Sequence, residues 1–348
     1  MAGKAKIDDV AKLAGVSVSS VSRAMNPKRY ASEALREKVM AAIQQLGYEP
    51  NASAQNLRAR SSKSIGCMVS DIANPMYAEI ICAAEKALYD AGYLLIVAST
   101  QYGQRESEVL QMLCRRGVDG VIGTIDRLDH GSYVTPEFIA QTPFVLLDRD
   151  FPELACDRVL VSHDQGAYDA IHYLLGLGHR KILIETSSQK MRPGRLRIEG
   201  ALKAVADHGL PAEVLLIHAQ AQQSAQSIYS NVSRELSSPT PPTAIVVLGA
   251  QMLEGALAAI DARHWKIPQD ISVFSFGDTA LAHFASFGLS AVRWDLAAIG
   301  RNAAQMILER LESKRCAGKE VVLPTEIVLR RSCLPPPGPL PRKPLPSV

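Results

Sequence analysis

Long apolar runs are missing from these 348 residues. No stretch approaches the roughly 20 residues that a membrane-spanning helix needs. No apolar segment follows Lys4 and Lys6, so the N-terminus does not read as a secretory signal and a cytoplasmic protein is expected. Cysteine is sparse: Cys67, Cys82, Cys114, Cys156, Cys316 and Cys333 are scattered, with no CxxC pair and no metal-ligand spacing. A disulfide scaffold and a zinc module are thereby excluded, and reduced, mostly buried thiols are expected. Catalytic signatures are also lacking. There is no GxGxxG after a strand, no GxxxxGKS/T loop, no HExxH and no GxSxG. The histidines form no i, i+4 pair, and His163, His179 and His208 read as structural or exposed. Nothing pairs a nucleophile with a base, so the expectation is a non-enzyme that needs no cofactor and no metal.

What is present divides by charge. Residues 1–63 hold 11 Lys/Arg and 5 Asp/Glu, a net +6; the remainder holds 27 and 30, a net −3. A basic head on a mildly acidic body suits a domain that neutralises phosphates, attached to one that does something else. At this length two or three domains are expected, since single cores seldom exceed roughly 250–300 residues.

The head opens with IDDVAKLAGVSVSSVSR, Ile7 to Arg23. Val10, Ala11, Leu13 and Ala14 give a short apolar helical face, and Gly15 breaks it. Ser17 is placed to cap a second helix over about Val18 to Met25, with Val21 and Met25 inward and Val18, Ser19, Ser22 and Arg23 outward. Two short helices around a glycine turn make a helix-turn-helix, whose second helix lies in the major groove. Arg23 suits a guanine edge, and the serine hydroxyls suit phosphates or adaptable base contacts. The expected DNA contacts are Ser17, Val18, Ser19, Ser22, Arg23 and Asn26. A third helix should run from an N-cap at Ser32 to Gly47.

Beyond Ser64 the texture changes. SIGCMVS, YLLIVAS, GVIGTI and PFVLLD read as buried parallel strands with amphipathic helices between them. RVLVSH, KILIET, EVLLIH, TAIVVL and ISVFSF repeat the pattern. Two doubly wound α/β lobes follow, with a small all-α domain before them. A last helix over about Leu296 to Leu311 and a strand Glu320–Leu329 should return to the lobes. The domain plan is residues 1–50 for the helix-turn-helix, 51–63 for a linker and 64–332 for the two-lobed core. Residues 333–348 make a proline-rich tail, expected to be extended.

The opening residues resemble the lactose-repressor (LacI/GalR) family of bacterial transcription regulators, and the resemblance continues to about Ser332. It implies a periplasmic-binding-protein-like core with a ligand in the cleft between the lobes. It also implies a homodimer on a pseudo-palindromic double-stranded operator, acting as a repressor in the cytoplasm at the nucleoid. The segment 51–63 would then be a hinge helix, with Leu57 wedged into the minor groove and Ala54 allowing close approach.

Carried over residue by residue, the resemblance places Asn74 and Tyr77 of DIANPMYAEI in the cleft. Asp126 follows the third strand, Asp148 the fourth, and Ser162 stands where many relatives have Asp. RLRIEG matches the R-x-x-G signature, making Arg197 the principal effector contact, with Arg192 preceding it. Two departures concern the far wall: Gly249–Ala250 before Gln251 replaces Asn-Asp, and Gly277–Asp278 replaces Asp-Asp. A carboxylate is lost there while the arginines remain, which favours a carboxylate- or phosphate-bearing, carbohydrate-derived effector. Asp126 and Asp148 weigh against this, and the alternative is a neutral sugar held by reshaped contacts. A stand-alone solute-binding protein would need a signal peptide and no DNA-binding head, the opposite of this chain.

Overall fold

A computed structural model describes residues 5–25, 30–48, 61–126, 134–151, 154–220, 224–279, 282, 288–313 and 318–337. Asn26, Leu57 and the last eleven residues lie outside that set. The chain forms two compact units, residues 1–62 and residues 63–348.

The first unit is helical: α1 (Ile7–Ala14), α2 (Val18–Ala24) and α3 (Glu33–Leu46). Gly15 stops α1 in the left-handed region at φ 64°, and Ser17 Oγ accepts the Ser20 amide to start α2. Ser32 caps α3 and Gly47 ends it in the same left-handed geometry. Val10, Ala11, Val21, Ala24, Val39 and Ala42 form the small core. Leu13, expected on the apolar face of α1, is 45% exposed, because Val10 and Ala11, with Ile7 and Ala14 beside them, supply the contact with α2 and α3.

The second unit holds two six-stranded sheets. Lobe 1 comprises β1 (Ser64–Val69), α4 (Pro75–Asp90), β2 (Leu94–Ser99), α5 (Glu106–Arg115), β3 (Gly120–Gly123), α6 (Pro136–Gln141), β4 (Phe144–Leu147) and β5 (Asp157–Val161). Lobe 2 comprises α7 (His163–Gly176), β6 (Ile182–Ser187), α8 (Arg192–Asp207), β7 (Leu215–Gln220), α9 (Ala225–Leu236), β8 (Ala244–Leu248), α10 (Gly249–Ala262), β9 (Ser272–Phe276) and β10 (Ser290–Arg293). Central strands such as Ile182–Ile184 and Ala244–Val247 are buried on both faces, as parallel sheets covered by helices require.

The chain then returns twice. Helix α11 (Leu296–Ser313) packs on α4 of lobe 1, and β11 (Glu320–Leu323) joins the lobe 1 sheet beside β5. Two residues later β12 (Glu326–Val328) pairs antiparallel with β10 of lobe 2. The single strand expected over Glu320–Leu329 is therefore two short strands in different sheets. Pro324 supplies the break, since proline cannot donate to a ladder. The chain thus crosses between lobes after β5, after β10 and after β11. Thr325 ties two of these crossings by donating to the Ser162 carbonyl at 3.1 Å.

The tail leaves the body later than position 333. Cys333 is buried, Leu334 N donates to Ser272 Oγ, and the Leu334 carbonyl accepts from Ser272 and faces His179 Nε2.

Candidate functional site

On the helical unit, Ser17, Ser19 and Arg23 are exposed, while Val18 and Ser22 are half-buried. Ser17 is committed locally, since its Oγ caps α2 and lies within hydrogen-bond distance of the Ser19 and Ser20 hydroxyls. Arg23 ends α2 beside the buried Val21 and Ala24, which hold the helix down while the guanidinium projects.

The second site lies where lobes 1 and 2 meet. Strand β4 ends at Leu147, and Asp148 follows in the left-handed region at φ 52°, a conformation an aspartate tolerates better than most side chains. Its carboxylate receives the Val161 amide at 3.3 Å, His163 Nε2 at 2.7 Å and Arg192 Nη1 at 3.1 Å. Arg192 opens α8 and also donates to the Val161 carbonyl at 2.9 Å, so it reaches from lobe 2 into lobe 1. A second bridge, Arg195 Nη2 to Asp150 Oδ2 at 2.6 Å, lies at the more exposed rim. Burial alone would raise the Asp148 pKa, but attraction and hydrogen bonding from His163, with Arg149 and Arg192 nearby, hold it well below the usual carboxylate range.

Asp126 is likewise matched. Arg149 Nη2 donates to it at 2.6 Å with both side chains 6% exposed, and Ser70 Oγ donates at 2.8 Å. Behind it, Glu106 accepts the Asp126 amide at 2.8 Å. Tyr77, buried on α4, places its hydroxyl 3.5 Å from Ser70 Oγ. Asn74 caps α4 by accepting the Met76 amide, which Pro75 at the first helical position assists.

Arg197 stands one helical turn into α8 and is 4% exposed. Nη2 donates to His163 Nδ1 at 3.1 Å and Nη1 reaches Ser187 Oγ at 3.5 Å, while Nε has no partner. Phe276 and Trp294 flank the guanidinium at 5.6 and 6.0 Å. Burial pulls its pKa down to about 10. His163 is pulled down to about 4, by burial first and then by Arg197, against the opposing pull of Asp148. It is therefore neutral at pH 7, and the geometry fits Nε2–H donating to Asp148 with Nδ1 accepting from Arg197.

Two glycines set this arrangement. A Cβ on Gly194 would strike the Ser187 and Ser188 carbonyls, and one on Gly200 would strike the Asp164 carbonyl. Gly200, three residues after Arg197, thus lets α8 press against the start of α7, where His163 lies.

Asn74, Tyr77, Asp126, Asp148, Ser162, Arg192 and Arg197 fall at β-strand C-termini or the helix starts that follow. Asp126, Asp148, Arg192 and Arg197 are joined through Arg149, which the sequence does not single out, and through His163, which reads there as structural or exposed and is buried as a bridge between Asp148 and Arg197. Ser162 contributes its carbonyl, not a side-chain cap. Gln251 is exposed in the first turn of α10. Asp278 is held by a two-pronged pair with Arg330, at 2.7 and 2.8 Å.

Residues 6–51 match the bacterial regulatory proteins of the lacI family, and residues 171–333 match the periplasmic binding protein-like domain. The chain is 31% identical to the HTH-type transcriptional regulator DegA of Bacillus subtilis, over 95% of this chain and 99% of that one. This chain belongs to the LacI family. It is also 32% identical to the ribose operon repressor of Haemophilus influenzae, over 94% and 98% of the two chains. Among solved structures, the lac repressor dimer bound to operator and the anti-inducer ONPF superposes with a TM-score of 0.81 at 26% identity, covering 95% of this LacI-family chain and all of that one. The CelR–cellobiose complex is similar at a TM-score of 0.69 and 25% identity, over 94% and 100%.

Proposed function

We propose that this LacI-family protein is a sequence-specific DNA-binding repressor, whose operator affinity is switched by a carbohydrate-derived effector held between lobes 1 and 2. The observation that carries the reading is the pairing of two built features in one chain. One is an exposed Arg23 on a capped recognition helix; the other is a buried guanidinium at the meeting of two lobes joined by three crossings. In this reading Val18, Ser19, Ser22, Arg23 and Asn26 contact DNA, and Leu57 enters the minor groove. Asn74, Tyr77, Asp126, Asp148, Ser162, Arg192, Arg197, Gln251 and Asp278 line or frame the effector cleft.

Relatives support both halves: the lac repressor structure contains operator DNA and a dimer, and CelR contains cellobiose. By the same reading the chain acts as a homodimer, and two-fold protein symmetry is matched by a pseudo-palindromic operator. The test is selection of binding sites by the full chain from randomised duplexes. An enriched two-fold motif supports the reading, and no enrichment above non-specific binding contradicts it.

A further inference from the structure

Charge in the cleft is matched pair by pair, with one exception. Asp126 is met by Arg149, Asp148 by Arg192, Asp150 by Arg195 and Asp278 by Arg330. Among the described residues, Arg197 alone of these arginines has no carboxylate within 4 Å. Its nearest partner is the neutral His163, and Nε is buried without any partner. Arg149 Nε is also unpartnered, but the charge of Arg149 is met by Asp126.

Asp148 attracts this guanidinium only at longer range. A buried guanidinium with no carboxylate in contact is costly, and the cost is recovered when a carboxylate arrives to share its fork of donors. Phe276 and Trp294 flank that fork with ring centroids 5.6 and 6.0 Å from the guanidinium carbon. The start of α8 adds to the attraction, since it has no side-chain cap and no acidic residue in its first turn.

We infer that the effector carries a single carboxylate, seated on Arg197, and is a hydroxylated monocarboxylic acid of the aldonic or uronic type. This rests on the effector reading above. The same bookkeeping separates the carboxylate from the phosphate. A phosphate monoester brings about −1.5 to −2 at neutral pH, while one uncompensated guanidinium offers one positive charge. It separates the acid from a neutral sugar too, because hydroxyls leave the buried charge unmet. The two aspartates that count against an anion on sequence grounds do not repel it here: Asp126 and Asp148 are spent on Arg149 and Arg192.

Thermal unfolding of the full chain tests this at matched ionic strength. The probes are sodium D-gluconate, D-glucuronate and D-galacturonate, set against D-glucose, D-galactose, D-ribose and D-glucose 6-phosphate. At least one acid should raise the melting temperature saturably and bind at least tenfold more tightly than its neutral counterpart or the phosphate. Arg197→Gln should abolish that shift. Arg197→Lys, which keeps the charge but loses the fork, should weaken it at least tenfold. Both variants are compared with wild type without ligand to establish that they fold. A neutral sugar or the phosphate binding more tightly than every acid overturns the carboxylate and leaves the effector reading standing. Silence from all three classes overturns both.

Discussion

Arg197 and His163 lie 3.1 Å apart, guanidinium to imidazole, and this contact fixes the electrostatic character of the cleft. A chain of groups runs from Arg192 through Asp148 and His163 to Arg197. Asp148 is in contact with Arg192 and the imidazole, so it attracts Arg197 only from across the ring, and burial outweighs that attraction. The cation at the end of the chain, Arg197, has no carboxylate in contact, which is why the proposed effector is seated there.

The Asp148–Arg192 bridge is a stability element as well as a link between lobes. Removing one partner of a largely buried pair costs about 3–5 kcal/mol. Asp148 is one-fifth exposed, so Asp148→Ala should fall near the lower end, about 3 kcal/mol. Urea unfolding of the variant at pH 7 measures it, and an unchanged midpoint would mean that the bridge contributes nothing in solution.

Acid should destabilise the body before its carboxylates titrate. His179, buried against Thr243 and Leu334, is pulled down to about 4 by burial, the same direction and size as His163. The unfolded chain takes up these protons near pH 6.5 while the folded protein resists until about 4. Stability is therefore complete above 6.5 and falls as pH drops through the window from 6.5 to 4. By linkage, one such histidine removes about 2 kcal/mol between pH 7 and 5. The depressed Asp148 pKa adds a further loss below its unfolded value. Melting curves at pH 7 and 5 test this, and His179→Gln should reduce the difference by roughly half.

Gly200 permits the close approach of α7 and α8. Gly200→Ala forces a methyl group onto the Asp164 carbonyl and should cost about 1–3 kcal/mol through overpacking. The displaced α7 start would also move His163. Calorimetric unfolding checks the first effect, and weakened ligand binding in a still-folded variant checks the second.

Much of this was legible in the sequence, and the rest was hidden for a physical reason. Ser17, Gly15, Ser32 and Gly47 announce the helices of the head because caps are local chemistry. The strands were legible from their apolar runs, while the starts of α7, α8 and α10 carry little apolar signal, their first turns being polar or glycine-rich. Pairing was not legible. Arg149 and His163 each adjoin a residue the sequence did single out, Asp148 and Ser162. Whether they point at a partner depends on how strand ends from distant parts of the chain converge. Asp278 reads as a residue of the cleft wall, and its pairing with Arg330, 52 residues away, has no local signal.

For the DNA-binding unit, Arg23→Ala should cost about 1–3 kcal/mol on the selected operator and relax the preference at one base pair. Equal losses on every sequence would instead assign Arg23 to the phosphate backbone.

The central claim is that one chain couples the cleft to operator binding. Fluorescence anisotropy of the selected operator, with and without a saturating acid from the panel, measures this coupling directly. Wild type should change its operator affinity at least tenfold when the acid is added, and Arg197→Gln should show no change. Identical affinity in wild type with the cleft empty and filled would contradict the account.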